Sequence, residues 1–324
     1  MQFWALIVDS FREARDKKLF WVLLFISALA IGVLAAIGFN DQGLSLFFGL
    51  WTMPDPVYTA GSPAATGLMA RFVTDFLVDT YIGWIGVLVC LIATAGVFPQ
   101  FMERGNIDVT LSKPMSRTAI FLGKYVGSLT FVLVQAAFFV LLSFIVLRVQ
   151  LGRWFWGYLW AIPLLVAQFS FVYCVCTLLA VWTRSTMASL LLTLLFWLSI
   201  PGITLADGLF SGTISLTSTT VTQPSWQERS SAAKFTHVVR AVLPKTGDVP
   251  QLVARQMGAT SSMELTELLT RIARADMKEE EWDQLRREDE RLAGISSMRV
   301  VGSSLLFEIV VLGIACWSFH RKDF

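Results

Sequence analysis

Histidine and cysteine, the side chains that most often bind metals, are scarce in this sequence. The 324 residues include only two histidines and four cysteines. All four cysteines lie within apolar stretches, so no disulfide framework is indicated. No spacing of histidine and cysteine typical of a zinc site occurs. We therefore predict no metal site and no disulfide. The residues concerned are Cys90, Cys174, Cys176, Cys316, His237 and His320.

Charged residues are also few, and their scarcity excludes a soluble globular protein. They make up 15% of the chain, whereas hydrophobic residues make up 55%. The mean hydropathy of +0.62 is far above that of soluble domains. The net charge of +2 carries little information, because the charges are segregated along the chain.

Long apolar stretches make up much of the chain. A bilayer core about 30 Å thick needs roughly 20 apolar helical residues to cross it. Six stretches meet this requirement, and they predict an all-α polytopic membrane protein. A further apolar piece, Leu44–Trp51, is too short to cross and predicts an interfacial or re-entrant segment. The six predicted spans are 19–38, 81–101, 120–147, 157–182, 187–206 and 299–319.

Basic residues near the span ends predict the orientation of the chain. With the N-terminus inside, eleven basic residues lie on the cytoplasmic side and three in short outside loops. Both termini are therefore predicted to be cytoplasmic, in a cell (inner) membrane. The inside set is Arg12, Arg15, Lys17, Lys18, Arg104, Lys113, Arg117, Lys124, Arg184, Arg321 and Lys322. The outside set is Arg71, Arg148 and Arg153.

The first residues predict an amphipathic helix at the membrane surface. Over 3–18, apolar residues recur at helical spacing on one face and charged residues lie on the other. Such a helix either anchors the chain at the interface or also touches a cytoplasmic partner, and the pattern fits both. The apolar face holds Trp4, Ile7, Val8, Phe11 and Ala14.

The chain accordingly divides into three regions: 1–206, 207–298 and 299–324. The middle region begins with a Ser/Thr-rich stretch and continues with capping boxes before amphipathic runs, at Ser225, Ser261 and Asp276. It predicts a helical extracytoplasmic loop before the last span. Acids slightly outnumber bases there, 13 against 11, so we expect no nucleic-acid partner.

No catalytic motif is present. A phosphate loop of the form G-x-x-x-x-G-K-[ST] is missing, and Pro244-Lys245-Thr246-Gly247 has the wrong order. No span carries paired aspartates, a Ser/His pair or an H-E-x-x-H sequence. We therefore predict no catalytic residue, and no ATP hydrolysis by the phosphate-loop route in this chain.

The segment at 101–119 contains the most distinctive residues of the chain. Gly105 and Pro114 bracket a short polar-apolar stretch, and Ser116 is placed to cap the helix of the third span. Gly123 and Gly127 form a small-xxx-small pair that permits close helix packing in lipid. By spacing alone this segment could also be an ordinary connector.

These residues resemble the membrane-spanning permease subunits of type 2 ATP-binding-cassette (ABC) exporters. The likeness lies in Phe11-Arg12-Glu13-Ala14, in Glu103-Arg104-Gly105, in Lys113-Pro114-Met115-Ser116-Arg117 and in Leu122-Gly123-Lys124. The six spans and the long loop before the last one agree with the family layout. The sequence-specific part covers about 25 residues, whereas the layout covers nearly the whole chain.

The resemblance implies a partnership with a separate ABC ATPase subunit that binds the ATP and Mg²⁺. Two permease copies, or two related chains, would assemble with two such ATPases. The 101–119 loop would couple ATPase closure to the spans. The residues implied in this coupling are Glu103, Arg104, Gly105, Pro114 and Arg117.

Three polar residues within the spans are candidates for a translocation path. Glu308 lies near the middle of the last span, where a charge costs about 2.5–3.5 kcal/mol to insert. It either lines a path or fixes helix packing. Gln135 and Gln168 could line the path too, although interhelical hydrogen bonding explains them as well.

Other functions fit parts of the pattern. An ion-coupled secondary transporter or channel would use Glu308, although the inverted repeats common in such proteins are not evident. A membrane scaffold or assembly factor would present the 207–298 loop.

Overall fold

The structure is a computed structural model that describes the membrane-embedded part of the chain and some of its connections. The predicted N-terminal helix at 3–18, apart from Lys18, and most of the 207–298 loop lie outside the described residues. The described residues are 18–40, 43–47, 49–54, 59, 62, 65, 69, 72–73, 80, 83–103, 116–152, 154–210, 234, 238–240, 243–248, 252–253 and 297–322.

The first helix, α1, spans Lys18–Ala36 and is apolar apart from Lys18 and Ser27. It is shorter than the predicted span 19–38, because the chain leaves the helix after Ala36 and enters a strand. Its apolar part, Phe20–Ala36, is also shorter than the five apolar helices described below. The count of six spans therefore stays a prediction.

A small antiparallel sheet follows α1 and was not predicted. Strands β1 (Ile37–Asn40), β2 (Gly43–Leu46) and β3 (Trp51–Pro54) pair in the order β1-β2-β3. Ile37 lies opposite Leu46, and Leu46 lies opposite Trp51. Leu44 and Trp51, the ends of the segment predicted to be interfacial or re-entrant, belong to β2 and β3 of this sheet. The position of the segment relative to the membrane stays a prediction.

The next apolar helix runs over Gly83–Phe101 and is interrupted once. Its regular parts are α2 (Val87–Thr94) and α3 (Val97–Phe101), with a turn at Ala95 and Gly96 between them. The Thr94 hydroxyl donates to the carbonyl of Cys90 at 2.8 Å, a bond that often bends a helix.

Helix α4 is the longest, with 35 residues over Arg117–Leu151. Its start is capped as predicted, because the Ser116 hydroxyl oxygen accepts a hydrogen bond from the Ala119 N–H at 3.2 Å. Gly123 and Gly127 are both buried. Their burial fits the close packing that small residues allow.

Helices α5 (Ala161–Thr183) and α6 (Thr186–Phe210) are joined by only two residues. A short 3₁₀ turn, Trp156–Trp160, precedes α5. Arg184 in the connection has a φ of 52°, a left-handed conformation that non-glycine residues adopt rarely. Its N–H bonds the Ala180 carbonyl at 2.9 Å, which closes the end of α5.

Helix α7, Ser297–His320, is the last element of the chain. The five long apolar helices of the described residues are Gly83–Phe101, Arg117–Gln150, Trp156–Thr183, Thr186–Ala206 and Val301–His320. They match five predicted spans, except that α6 continues to Phe210, past the predicted end at 206. The prediction of a helical polytopic membrane protein is confirmed.

The outer surface of these helices is apolar, as a lipid-facing surface must be. Large hydrophobic side chains remain more than half exposed on several helices. Water would disfavour such a surface, whereas lipid tails do not. Examples are Trp21, Phe25, Leu195, Leu306 and Ile309.

The chain forms two compact units. The first comprises Met1–Thr94, Gly123–Phe169 and Asp248–Ser297, and the second comprises Ala95–Leu122, Ser170–Gly247 and Met298–Phe324. A buried hydrophobic cluster of the first unit joins α1, α4, α5 and the turn before α5, with Leu34, Phe139, Val140, Tyr158 and Ala161 almost fully buried. Packing of these elements holds the first unit together.

Candidate functional site

In the second unit, aromatic packing holds both ends of the 101–119 segment. Phe101 closes α3 and Phe121 lies in the first turns of α4, and both rings pack on Phe319 near the end of α7. The ring centroids lie 6.1 Å apart for Phe101 and Phe319, and 5.8 Å for Phe121 and Phe319. Phe98 adds a further contact to Phe121 at 5.0 Å. The two ends of the segment therefore rest on one helix end.

A charged side chain reinforces this anchorage. The Arg117 guanidinium donates through Nη1 to the carbonyls of His320 at 3.3 Å and Lys322 at 3.2 Å. The last carbonyls of a helix have no partner within the helix, and the negative end of the helix dipole favours a cation there. Arg117 thus caps α7 from the first residue of α4.

A second basic residue repeats the arrangement at the end of α5. The Lys322 ammonium donates to the Val181 carbonyl. The Trp182 indole N–H donates to the Ser318 hydroxyl at 3.1 Å. Desolvation, and next the positive charge of Arg184, lower the pKa of Lys322. The end of α7 is therefore tied to the end of α5 as well as to the start of α4.

Of the five residues predicted to couple to an ATPase, the structure describes two. Glu103 is exposed just beyond the end of α3, and Arg117 is half-buried in the cap of α7. Arg104, Gly105 and Pro114 lie outside the described residues. An exposed carboxylate thus lies at one end of the segment and an anchored guanidinium at the other.

Glu308 is buried in the middle of α7, where only 8% of its surface is exposed. Its Oε2 accepts a hydrogen bond from the Ser170 hydroxyl of α5 at 3.0 Å. Ser170 is buried as well. A carboxyl deep in a span that is hydrogen-bonded to a neighbouring helix is compatible with both hypotheses. Glu308 either lines a path or fixes helix packing.

Gln135 and Gln168 belong to the first unit and are 5% and 4% exposed. Gln135 of α4 donates through Nε2 to the Ser27 hydroxyl of α1 at 2.7 Å, an interhelical bond of the predicted kind. The Oε1 atoms of both glutamines have no hydrogen-bond partner among the described residues. A polar acceptor that is left unbonded in an apolar interior costs free energy.

The partners of the predicted residues were not foreseen from the sequence. Ser27, Ser170 and Phe319 lie inside apolar stretches where a single serine or phenylalanine is unremarkable. A weak signal exists for Lys322, since basic residues at the end of a helix commonly bind free carbonyls. Which helix end it would bind could not be read from the sequence.

The described residues contain no group of three or more His, Cys, Asp or Glu side chains placed to hold a metal ion. Glu308 belongs to no such group, and its carboxylate accepts a hydrogen bond from the Ser170 hydroxyl.

Comparison with known proteins identifies the family of this chain. A search of curated proteins finds no match to the chain. The family model described as ABC-2 family transporter protein matches residues 4–324. That range covers nearly the whole chain, including the 101–119 segment and α7, and the chain therefore belongs to the ABC-2 family of transporter proteins.

Proposed function

We propose that this chain is the permease subunit of an ABC exporter, which forms the translocation path and couples it to ATP hydrolysis by a separate ATPase subunit. Family membership supports a membrane transport subunit. The missing phosphate loop requires that ATP be bound elsewhere. The observation that carries the coupling role is the anchorage of both ends of the 101–119 segment on the end of α7.

The anchorage provides a physical route for coupling. A cytoplasmic ATPase that pulls on the segment also pulls on Phe101 and Arg117, which contact Phe319 and the last carbonyls of α7. Packed aromatic rings and charged hydrogen bonds transmit displacement because they resist separation. The movement therefore reaches α7, the helix that carries Glu308.

Glu103, Arg104, Gly105, Pro114 and Arg117 form the coupling element in this proposal. Glu103 faces the ATPase, because its exposed carboxylate is free of the aromatic packing that holds Phe101. Arg117 positions α7 rather than touching the ATPase. The orientation with both termini in the cytoplasm of a cell (inner) membrane belongs to the same proposal, because it places this segment inside.

Glu308, Gln135 and Gln168 line the translocation path in this proposal. Each is buried at mid-membrane depth, where polar side chains normally face a cavity or a partner. A second permease copy, or a related chain, completes the transporter. Two permeases then assemble with two ATPases, and no nucleic acid takes part.

Purification in mild detergent, followed by mass spectrometry of bound proteins, tests this assembly. We expect a stoichiometric subunit that bears a phosphate-binding loop. Recovery of this chain alone, under conditions that preserve its oligomer, would contradict the proposal.

Two variants then distinguish contact with the ATPase from transmission of its movement. Glu103→Lys reverses the exposed charge, and we expect recovery of the ATPase to fall about tenfold, the change that about 1.4 kcal/mol produces. Arg148→Glu reverses a charge at the opposite end of α4 and serves as the matched control. Arg117→Ala should retain the ATPase but change its rate of ATP hydrolysis in vesicles. Unchanged recovery with Glu103→Lys would remove Glu103 from the coupling element.

An ion-coupled transporter or channel is the second candidate, and the buried Glu308 favours it. Proton uptake into vesicles distinguishes the two functions. An ion-coupled mechanism predicts a proton flux that Glu308→Gln abolishes, because an amide cannot release a proton. The exporter predicts transport that needs ATP and continues without a proton gradient in the Glu308→Gln variant.

A further inference from the structure

Four basic residues of the second unit lie together where its helices end, and we call them the basic rim. They are Arg117 at the start of α4, Arg184 between α5 and α6, and Arg321 and Lys322 just after α7. The Arg117 guanidinium bonds the Lys322 carbonyl at 3.2 Å, and the Lys322 ammonium bonds the Val181 carbonyl near the end of α5. Arg184 and Arg321 are exposed, whereas Arg117 and Lys322 are half-buried.

The charges of the basic rim are close enough to repel one another. Desolvation lowers the pKa of Lys322, and the positive charge of Arg184 lowers it further. The acceptors described for Arg117 and Lys322 are backbone carbonyls, which carry no net charge. Asp323, which follows Lys322 in the sequence, supplies one negative charge against these four cations. An anion at the rim is therefore attracted by several cations at once.

The basic rim lies at the depth of lipid head groups. Each of its residues lies at, or within two positions of, the end of an apolar helix long enough to cross a bilayer. These helices are Arg117–Gln150, Trp156–Thr183, Thr186–Ala206 and Val301–His320. Trp182 and Trp317 lie in the last turns of two of them and are 56% and 57% exposed. Tryptophan prefers the boundary between head groups and acyl chains. The rim therefore faces the charged layer of the bilayer.

One of the two exposed cations is held beside a tryptophan. The Arg321 guanidinium carbon lies 4.0 Å from the centroid of the Trp317 ring. Stacking on the ring orients the guanidinium but leaves its N–H groups able to donate at the edge. Arg321 thus combines a cation for a phosphate with an exposed apolar ring for a hydrocarbon chain.

We propose that the basic rim binds the phosphate of an anionic phospholipid. Arg184 and Arg321 donate to the phosphate oxygens, because they are exposed and a guanidinium matches phosphate geometry. Arg117 and Lys322 add positive charge while their donors hold backbone carbonyls. The acyl chains lie along the exposed rings of Trp182 and Trp317. Inorganic phosphate shares the charged contacts, but it has nothing to place on these rings.

Binding of this kind needs neither ATP nor an ATPase subunit. It also does not depend on which face of the membrane carries the rim, because both leaflets of a vesicle contain the lipid. The proposal therefore goes beyond the permease function. A binding experiment can fail without affecting the assignment of the chain as a permease.

Native mass spectrometry of the full-length protein tests the site. The protein is reconstituted in vesicles of equal parts phosphatidylglycerol and phosphatidylcholine with the same acyl chains, then released in mild detergent, and the retained lipids are counted. We expect phosphatidylglycerol to be retained at least about tenfold more than phosphatidylcholine, because several basic residues attract its net charge. Added sodium chloride should lower this preference, since it screens exposed charges. The comparison uses the wild-type protein, so it does not depend on the folding of a variant.

Matched variants then locate the site. Arg184→Gln and Arg321→Gln should each lower the retention of phosphatidylglycerol about fivefold, and the double variant should bring it to the level of phosphatidylcholine. Arg148→Gln is the control, because it removes a cation beside a tryptophan, Trp154, at the opposite end of α4. It should leave retention unchanged. Gel filtration in detergent confirms that each variant is folded.

Three outcomes would overturn the proposal. Equal retention of the two lipids by the wild-type protein would show that the rim does not recognise the charge. Wild-type retention in the double variant would place any bound lipid elsewhere on the protein. If sodium phosphate displaces phosphatidylglycerol and sodium chloride of the same ionic strength does not, the rim recognises the free anion rather than the lipid.

Discussion

Polar side chains are bonded differently in the two compact units. In the second unit, Glu308 bonds Ser170, Arg117 bonds the last carbonyls of α7, and Trp182 bonds Ser318. In the first unit, three glutamines each keep a buried carbonyl oxygen without a partner among the described residues. They are Gln135, Gln150 and Gln168.

This difference concerns how completely each unit bonds its polar groups. Bonded and packed groups hold helices in fixed relation, which is what transmission of movement requires. Unbonded acceptors weaken the fold slightly, because nothing replaces the hydrogen bonds they made to water. The second unit therefore has the properties of a transmitting element, whereas the polar contacts of the first unit are less complete among the described residues.

The largest effect is expected from breaking the aromatic anchorage of the second unit. Phe319→Ala removes a fully buried ring that packs on Phe101 and Phe121. The cavity left behind should lower the free energy of unfolding by about 3 kcal/mol. Titration with sodium dodecyl sulfate in mixed micelles measures this change.

Phe25→Ala is the control for that measurement, because Phe25 is 69% exposed on a lipid-facing surface of the first unit. Its effect should stay within about 0.5 kcal/mol. Similar losses for the two variants would mean that Phe319 is no anchor.

A medium effect is expected from the hydrogen bond between Glu308 and Ser170. Ser170→Ala removes the donor and should cost about 1–2 kcal/mol. Glu308→Gln should cost about 1 kcal/mol or less, because the amide oxygen still accepts from Ser170. The double variant should lose less than the sum of the two, since the same bond is counted twice. Strict additivity would show that the two side chains act independently.

The smallest effect is expected from an incompletely bonded glutamine of the first unit. Gln168→Leu replaces an incompletely bonded amide with an apolar side chain of similar size. The free energy of unfolding should stay constant or rise by up to about 1 kcal/mol. The same titration measures it, and a loss of more than about 1 kcal/mol would reveal a partner for this amide in the assembled protein.

Much of the architecture could be predicted because hydropathy alone determines which segments enter a bilayer. Helices α4 to α7 lie close to their predicted positions, and the cap at Ser116 was predicted from one residue type in one place. The sheet was missed because its strands have only four residues each. A signal was present: Ile37 and Phe39 alternate with Gly38 and Asn40, as side chains of a strand do.

The contacts of the candidate site could not be predicted in the same way. Arg117 and its acceptor His320 are 203 positions apart in the sequence. Hydropathy identifies the two helices but does not tell which ends meet, because lipid-facing and packed faces are equally apolar. The free oxygen of Gln135 likewise depends on the position of Ser27 on another helix.

The two-residue connection at Arg184 and Ser185 also has a consequence for biosynthesis. The Arg184 N–H bonds a carbonyl at the end of α5, and α6 already begins at Thr186. The connection therefore cannot extend. Because the connection is far shorter than the membrane is thick, the end of α5 and the start of α6 lie at the same face of the membrane. The insertion machinery therefore receives α6 directly after α5, and we expect the two helices to assemble as one helical hairpin.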